Sequence, residues 1–177
     1  MPGRIVVIGS INVDYTAVVD ALPRPGETVL GGELVVANGG KGANQAVAAA
    51  RAGAPVAIVA CVGDDAQGEA YIRALHEEGI DTDGVRVVPD AKTGVALISV
   101  QRGTGQNCIA VCPGANLLLT PGDVDRARER IASSSGVLAQ LEVRLETVLR
   151  AATLAREAGV PFLLNPSPVP REGVPSA

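Results

Sequence analysis

Aromatic side chains are almost absent from this chain of 177 residues: Tyr15, Tyr71 and Phe162 are the whole set, and there is no tryptophan. A surface that stacks bases needs a row of rings. These dispersed residues do not supply one, and a net charge of −4 argues against a basic nucleic-acid footprint. Histidine occurs once, as His76, and a lone imidazole makes no metal centre. No apolar run reaches the roughly 18 to 20 residues of a membrane-spanning helix: Arg51 breaks the longest candidate, and Gly and Pro break the others. The opening run Ile5-Val6-Val7-Ile8 is too short for a signal peptide. The cysteines Cys61, Cys108 and Cys112 are odd in number, which predicts reduced thiols in a cytoplasmic protein. Cys108 and Cys112 stand roughly 13 Å apart on an extended strand, too far for a bridge.

What is present is apolar and heavily punctuated. Hydrophobic residues make up 47 % of the chain and charged ones 19 %, among 21 glycines and 12 prolines. Disorder, collagen and coiled coil are thereby excluded. Short apolar runs alternate with helical patterns, the mark of β-α-β units around a mostly parallel sheet. Core strands are predicted over residues 4–8, 56–61, 136–140 and 160–164. Helices are predicted over about 42–52, 66–78, 121–133 and 145–158. Thr120 is placed to cap the third, with Pro121 in its first turn. Leu145, Val148, Leu149 and Ala152 form the expected buried face of the fourth.

Two stretches break this rhythm. Between Asn12 and Val36 only strand-like pieces occur, over residues 15–19 and 34–36. Between Val85 and Cys112 a hairpin is predicted, with strands over 94–100 and 107–112. Both read as excursions that could pair into a small extra sheet. The hairpin is apolar on both faces, as if a ligand covered one side and a second subunit the other. After residue 164 the chain runs into Pro166, Pro168, Pro170 and Pro175. Proline continues neither a helix nor an inner strand, so the last strand is expected to lack a covering helix and the chain to need a partner or to aggregate.

Three segments carry candidate chemistry. Asn38-Gly39-Gly40-Lys41-Gly42-Ala43-Asn44-Gln45 runs from a glycine cluster into a helix, so backbone N–H groups and the positive helix end face whatever lies above. It is not a Walker loop, since no Ser or Thr follows Lys41 and the glycine spacing differs; a plain glycine turn with a helix cap is the alternative. Gly9-Ser10-Ile11-Asn12-Val13-Asp14 leaves the carboxyl end of the first strand, where open α/β sheets bind ligands. Asn12 and Asp14 point the same way on an extended segment. A carboxylate beside an amide suits a polyol better than an anion, although an Asx turn would also account for them. Gln140-Leu141-Glu142 adds a carboxylate on the same rim, unless Glu142 is a solvated loop residue. Asp64-Asp65 is read as a helix cap.

Together these residues resemble the N-terminal portion of the ribokinases, in the ribokinase-like family of carbohydrate kinases. The resemblance runs through the whole chain. Besides the three segments above it rests on Pro25-Gly26-Glu27-Thr28, Gly63-Asp64-Asp65, Thr93-Gly94-Val95-Ala96, Gly114-Ala115-Asn116 and Asn165-Pro166. It implies a ribokinase-like α/β fold: a mostly parallel sheet flanked by helices, with a small β-sheet lid whose strands lie within residues 12–37 and 85–112. Residues 1–177 would then be the N-terminal part of that domain, with the C-terminal part of the fold absent. The implied activity is phosphorylation of D-ribose, or a close pentose, at its 5-hydroxyl by ATP with Mg²⁺, with a monovalent cation such as K⁺ possible. The resemblance assigns Asn12, Asp14, Gly40, Lys41, Gly42, Asn44 and Glu142 to substrate binding. It implies a homodimer through the lid strands. No residue of this chain is assigned to catalysis: the family's catalytic base is expected beyond Ala177, and its ATP and metal sites are not expected within the chain either. The chain alone is therefore expected to be inactive. Two other readings stay open: a stand-alone non-catalytic pentose-binding module, and a nucleotide-binding domain using the loop 39–42.

Overall fold

The structure, a computed structural model, describes residues 3–169. Among these residues nine strands form two sheets. β1 (Ile5–Ile8), β4 (Val56–Gly63), β5 (Asp81–Val88), β8 (Gly136–Gln140) and β9 (Phe162–Asn165) make a five-stranded sheet in the order β5-β4-β1-β8-β9. Every pairing in it is parallel, and Ile5 stands opposite both Val56 and Gly136, which puts β1 at the centre. Alternation along the strands feeds two cores. Val7, Ile58 and Ala60 pack under α1 (Lys41–Arg51) and α2 (Ala66–Glu77), through Ala43, Ala46, Tyr71 and Leu75. Val6, Ile8, Val59 and Val137 pack under α3 (Pro121–Arg126), α4 (Arg128–Ala132) and α5 (Leu145–Glu157). None of the helices among the described residues is long and apolar enough to cross a membrane.

Several local expectations need revision. The third predicted helix is two, because at Ala127 the backbone leaves the helical region (φ −91°, ψ 8°) and its N–H bonds to Val124 O, tightening the turn. Thr120 and Asp123 form a reciprocal capping box at its start. In α5 the buried stripe is Thr147, Val148, Ala151, Leu154 and Ala155, while Leu149 is exposed. Thr147 Oγ1 donates to Leu119 O at 2.7 Å, and that buried bond fixes the rotation of the helix. β5 escapes the apolar-run criterion because it is an edge strand, half exposed and interrupted by Asp83 and Arg86.

The second sheet contains β2 (Asn12–Val19), β3 (Gly31–Gly39), β6 (Gly94–Gln101) and β7 (Asn107–Cys112), in the order β3-β2-β6-β7. It is mixed: β2 and β6 run parallel, and each holds an antiparallel neighbour. It extends to Gly39, beyond the boundary expected at residue 37, and residues 85–88 belong to β5 instead. The register puts Asn12, Asp14 and Thr16 on one face with Ala96, Ile98, Ile109 and Val111. On the other face Tyr15, Leu34, Leu97 and Cys108 line a shallow apolar depression of about 440 Å³. Among the described residues no helix covers this sheet's outer strands except at Gly39: every residue of β7, and all of β3 except Gly39, is exposed.

At the other end, β9 pairs only with β8 among the described residues. Phe162 and Leu164 pack inward while Leu163 is exposed. Of the expected proline-rich ending, residues 170–177 lie outside the described residues. Among them is Ala177, the boundary beyond which the catalytic base is expected. All three cysteines are free: Cys61 is buried, with its thiol pushed up to about 11 by burial, and Cys108 and Cys112 are exposed on β7.

Candidate functional site

The carboxyl ends of β1 and β8 meet the chain segments that cross between the two sheets. After β1, residues Gly9, Ser10 and Ile11 lead into β2. After β3, Gly39 and Gly40 lead into α1. The helix start sits directly on the first of these links. A Cβ on Gly42 would fall 2.5 Å from Ser10 N, and Gly40 takes φ +90° with Asn12 N 2.7 Å from where its Cβ would be. The glycine block therefore has a steric reason that is independent of any ligand.

Glu142, just beyond β8, reaches into this junction. Its Oε2 accepts from Ser10 Oγ at 2.6 Å and from Lys41 N at 2.9 Å, and its Oε1 pairs with Lys41 Nζ at 3.1 Å. Gly42 N donates to Ser10 Oγ (3.2 Å), Ala43 N to Ser10 O (2.9 Å) and Asn44 N to Gly40 O (2.9 Å). The N–H groups of Lys41, Gly42 and Ala43, three of the four that a helix start leaves over, are thus satisfied within the chain, and Asn44 N makes the first bond of the helix ladder. Burial works to raise the Glu142 carboxyl, but the Lys41 N–H, the Ser10 hydroxyl and the Lys41 ammonium outweigh it and hold the group below the usual carboxylate range. Glu142 is consequently an ionised anchor for the start of α1.

Asp14 has the opposite character. Its carboxylate packs over the backbone of Gly39. Burial raises its pKa, the negative Glu142 adds to this, and Lys41 offsets part of it. It has no hydrogen-bond donor among the described residues. Its charge is thereby left to whatever hydroxyls come near. Asn12 is buried, with Oδ1 accepting from Asn116 Nδ2 at 2.7 Å. It shares a cleft of about 180 Å³ with Glu142, Asn116, Leu141, Val111 and Pro113.

The structure thus brings Asn12, Asp14, Gly40, Lys41, Gly42 and Glu142 to one junction. Asn44 lies at its margin, exposed in the first turn of α1, and lines a separate cleft of about 230 Å³ with Asn38, Val47 and Tyr71. Sequence reasoning missed Ser10 and Asn116 as members of the site, although both lie inside quoted motifs. It also missed Tyr71, which donates to Gly39 O at 2.6 Å, and Gln140, which donates through Nε2 to Gln45 and leaves its Oε1 buried without a partner. Asp65 is the α2 cap, accepting from Gly68 N at 2.9 Å, and it also ties down Thr93 N at 2.9 Å, where the chain enters β6. Among the described residues no cluster of His, Cys, Asp and Glu could hold a metal ion. These residues do not fit a nucleotide triphosphate either, because the start of α1 already carries the Glu142 carboxylate.

The family model for pfkB family carbohydrate kinases matches residues 3–176. The chain belongs to this family. It is 43 % identical over 168 residues to a ribokinase of Haemophilus influenzae, covering 95 % of this chain and 55 % of the relative. It is 42 % identical to a deoxyribokinase of Salmonella typhi, with the same coverage on both sides. The solved structure of an Arabidopsis thaliana ribokinase complexed with ribose and ATP superposes with a TM-score of 0.81 at 35 % identity, over 93 % of this chain and 53 % of that one. The pfkB-family chain described here spans about half the length of the curated relatives it matches. Its fold is ribokinase-like, with the five-stranded parallel sheet and the small mixed sheet.

Proposed function

We propose that this chain is the sugar-recognising part of a ribokinase, acting in ATP-dependent phosphorylation of D-ribose to ribose 5-phosphate. The observation that carries the reading is Asp14: a carboxylate with no donor of its own, on the sheet face that looks toward Asn12, beside a Lys41–Glu142 pair. Asp14 accepts hydrogen bonds from sugar hydroxyls, and Asn12 binds a neighbouring oxygen. Gly40, Lys41, Gly42 and Asn44 form the loop that borders the sugar. Glu142 holds that loop in place and closes the pocket floor. The four-stranded sheet is the lid over the sugar, and its exposed apolar residues pair two copies into a homodimer.

ATP, Mg²⁺ and a monovalent cation such as K⁺ belong to the proposed whole reaction. The base that takes the proton from the 5-hydroxyl, the donors around the transferring phosphate and the nucleotide cradle are assigned to residues beyond Ala177, outside this chain. A stand-alone pentose-binding module is the second reading, supported by the self-contained sugar junction. The nucleotide-loop reading is disfavoured because the Lys41, Gly42 and Ala43 N–H groups at the start of α1 are already bonded to Glu142 and Ser10.

Two assays on the 177-residue chain test the proposal. Titration calorimetry with ribose alone should give binding that Asp14→Ala abolishes, with 2-deoxyribose as the competing sugar. ATP-dependent phosphorylation of ribose should stay at the no-enzyme level; turnover well above it overturns the assignment of the base and nucleotide site elsewhere. ATP binding that is weakened by Lys41→Ala but not by Asp14→Ala would favour the nucleotide reading instead.

A further inference from the structure

Asn116 sits in the 3-10 turn Gly114–Leu118 that follows β7, and it is 1 % exposed. Both N–H donors of its side-chain amide are used and its oxygen is bonded. Oδ1 accepts from Ile11 N at 2.9 Å, and Nδ2 donates to Ile11 O at 3.1 Å and to Asn12 Oδ1 at 2.7 Å. The two bonds to Ile11 imitate a neighbouring strand and hold the link between β1 and β2. The third decides which end of the Asn12 amide faces outward.

An amide offers a donor at one end and an acceptor at the other, so its orientation determines what it can recognise. Here the direction is set by a group that cannot reverse. The Ile11 backbone N–H only donates, so Asn116 must turn Oδ1 toward it and Nδ2 away. Asn12 must then turn Oδ1 toward Asn116, which leaves its own Nδ2 pointing away. Reversing Asn12 alone would set two NH₂ groups against each other, and reversing both would set NH₂ against the Ile11 N–H. Asn12 Nδ2 makes no hydrogen bond among the described residues, and Asn12 borders the cleft that contains Glu142.

We propose that Asn116 is a positioning residue that sets sugar specificity by fixing the Asn12 amide so that it meets the ligand as a donor. Asn12 Nδ2 then meets an oxygen lone pair, while Asp14 on the same face accepts from a hydroxyl. One donor beside one acceptor selects a diol over an ionised carboxylate or a fully ionised phosphate monoester, neither of which gives Asp14 a proton to accept. The inference rests on the sugar-recognition reading above.

Two measurements test it in the 177-residue chain. In the ligand-free protein, side-chain amide exchange followed by ¹⁵N NMR should show the Asn116 NH₂ protected and the Asn12 NH₂ exchanging faster; the reverse order overturns the relay. In ribose titrations, Asn116→Asp keeps the bond to Ile11 N but replaces the relay donor with an acceptor and turns Asn12 round. Affinity should fall by about tenfold to a hundredfold, and by less than about twofold when the same change is made in an Asn12→Ala background. An equal loss in both backgrounds overturns the proposal. Asn12→Asp leaves Asn116 and its bonds to Ile11 untouched and serves if Asn116→Asp does not fold. It exchanges the outward donor for an acceptor and should weaken ribose as much; unchanged affinity overturns the proposal. If the unsubstituted chain binds no ribose, the sugar reading fails, and the exchange order still decides the relay.

Discussion

Val6, Val7 and Ile8 in the five-stranded sheet are inaccessible to solvent, whereas Leu34, Leu97 and Ile109 in the four-stranded sheet are each more than half exposed. The two sheets use the same kinds of residue, so composition does not explain the difference. Connectivity does. Each parallel crossover in the first sheet brings a helix that covers one face, while the second sheet is joined by hairpins and by a parallel pair that bring none. An apolar sheet left bare in this way has surface that a ligand on one face and a second copy on the other would bury. The junction between the sheets inherits its order from the first and its access from the second.

The sharpest way to break this comparison is to truncate one residue in each sheet. Ile58→Ala, at a fully buried position of β4, should cost about 2 to 5 kcal/mol in denaturant unfolding. Leu97→Ala, half exposed on the face opposite Asp14, should cost less than about 0.5 kcal/mol in the monomer and should instead weaken self-association, read by sedimentation. Comparable stability losses in the monomer would mean that the second sheet carries fold stability of its own.

A smaller effect concerns how the first sheet is braced. Arg86 on β5 grips Asp123 through bonds of 2.7 and 2.9 Å. Burial pushes the Asp123 carboxyl up, but Arg86 and Thr120 outweigh it and hold the group at about 2, below its ordinary 3.8. A depressed carboxyl stabilises the folded chain above the ordinary value, and that contribution is lost as pH falls through about 2. Asp123→Asn should cost about 2 kcal/mol at neutral pH, and unfolding followed between pH 4 and 2 should lose part of its acid dependence. At the junction, Glu142→Gln removes the anchor of α1 and should lower stability by about 1 kcal/mol. Asp14→Asn has the smallest expected effect on stability and the opposite sign. Its pKa is raised, so its charge is unfavourable in the folded chain above that pKa, and removing it should stabilise by no more than about 1 kcal/mol at neutral pH. Melting curves at fixed pH check both.

The first sheet was largely legible because β1, β4 and β8 are buried on both faces and read as unbroken apolar runs. β5 was not, because an edge strand tolerates Asp83 and Arg86. The single predicted helix over 121–133 concealed its break at Ala127, where nothing in the residue types marks the tightened turn. At the site, Asn12, Asp14 and Glu142 were legible as polar residues at strand ends. Ser10 and Asn116 were not, because their work is to hold other residues, and a residue whose partner lies 105 positions away leaves no local pattern. Glu142 was read as a pocket residue, and its bonds to Ser10 and Lys41 make it first an anchor for α1.

The central claim is that Asp14 keeps a destabilising charge in order to bind a sugar, and it is tested most directly by measuring ribose affinity and melting temperature on the same samples of wild type and Asp14→Asn. The account predicts that affinity falls by about thirtyfold or more while the melting temperature stays level or rises. Ribose binding that is unchanged by Asp14→Asn would contradict it.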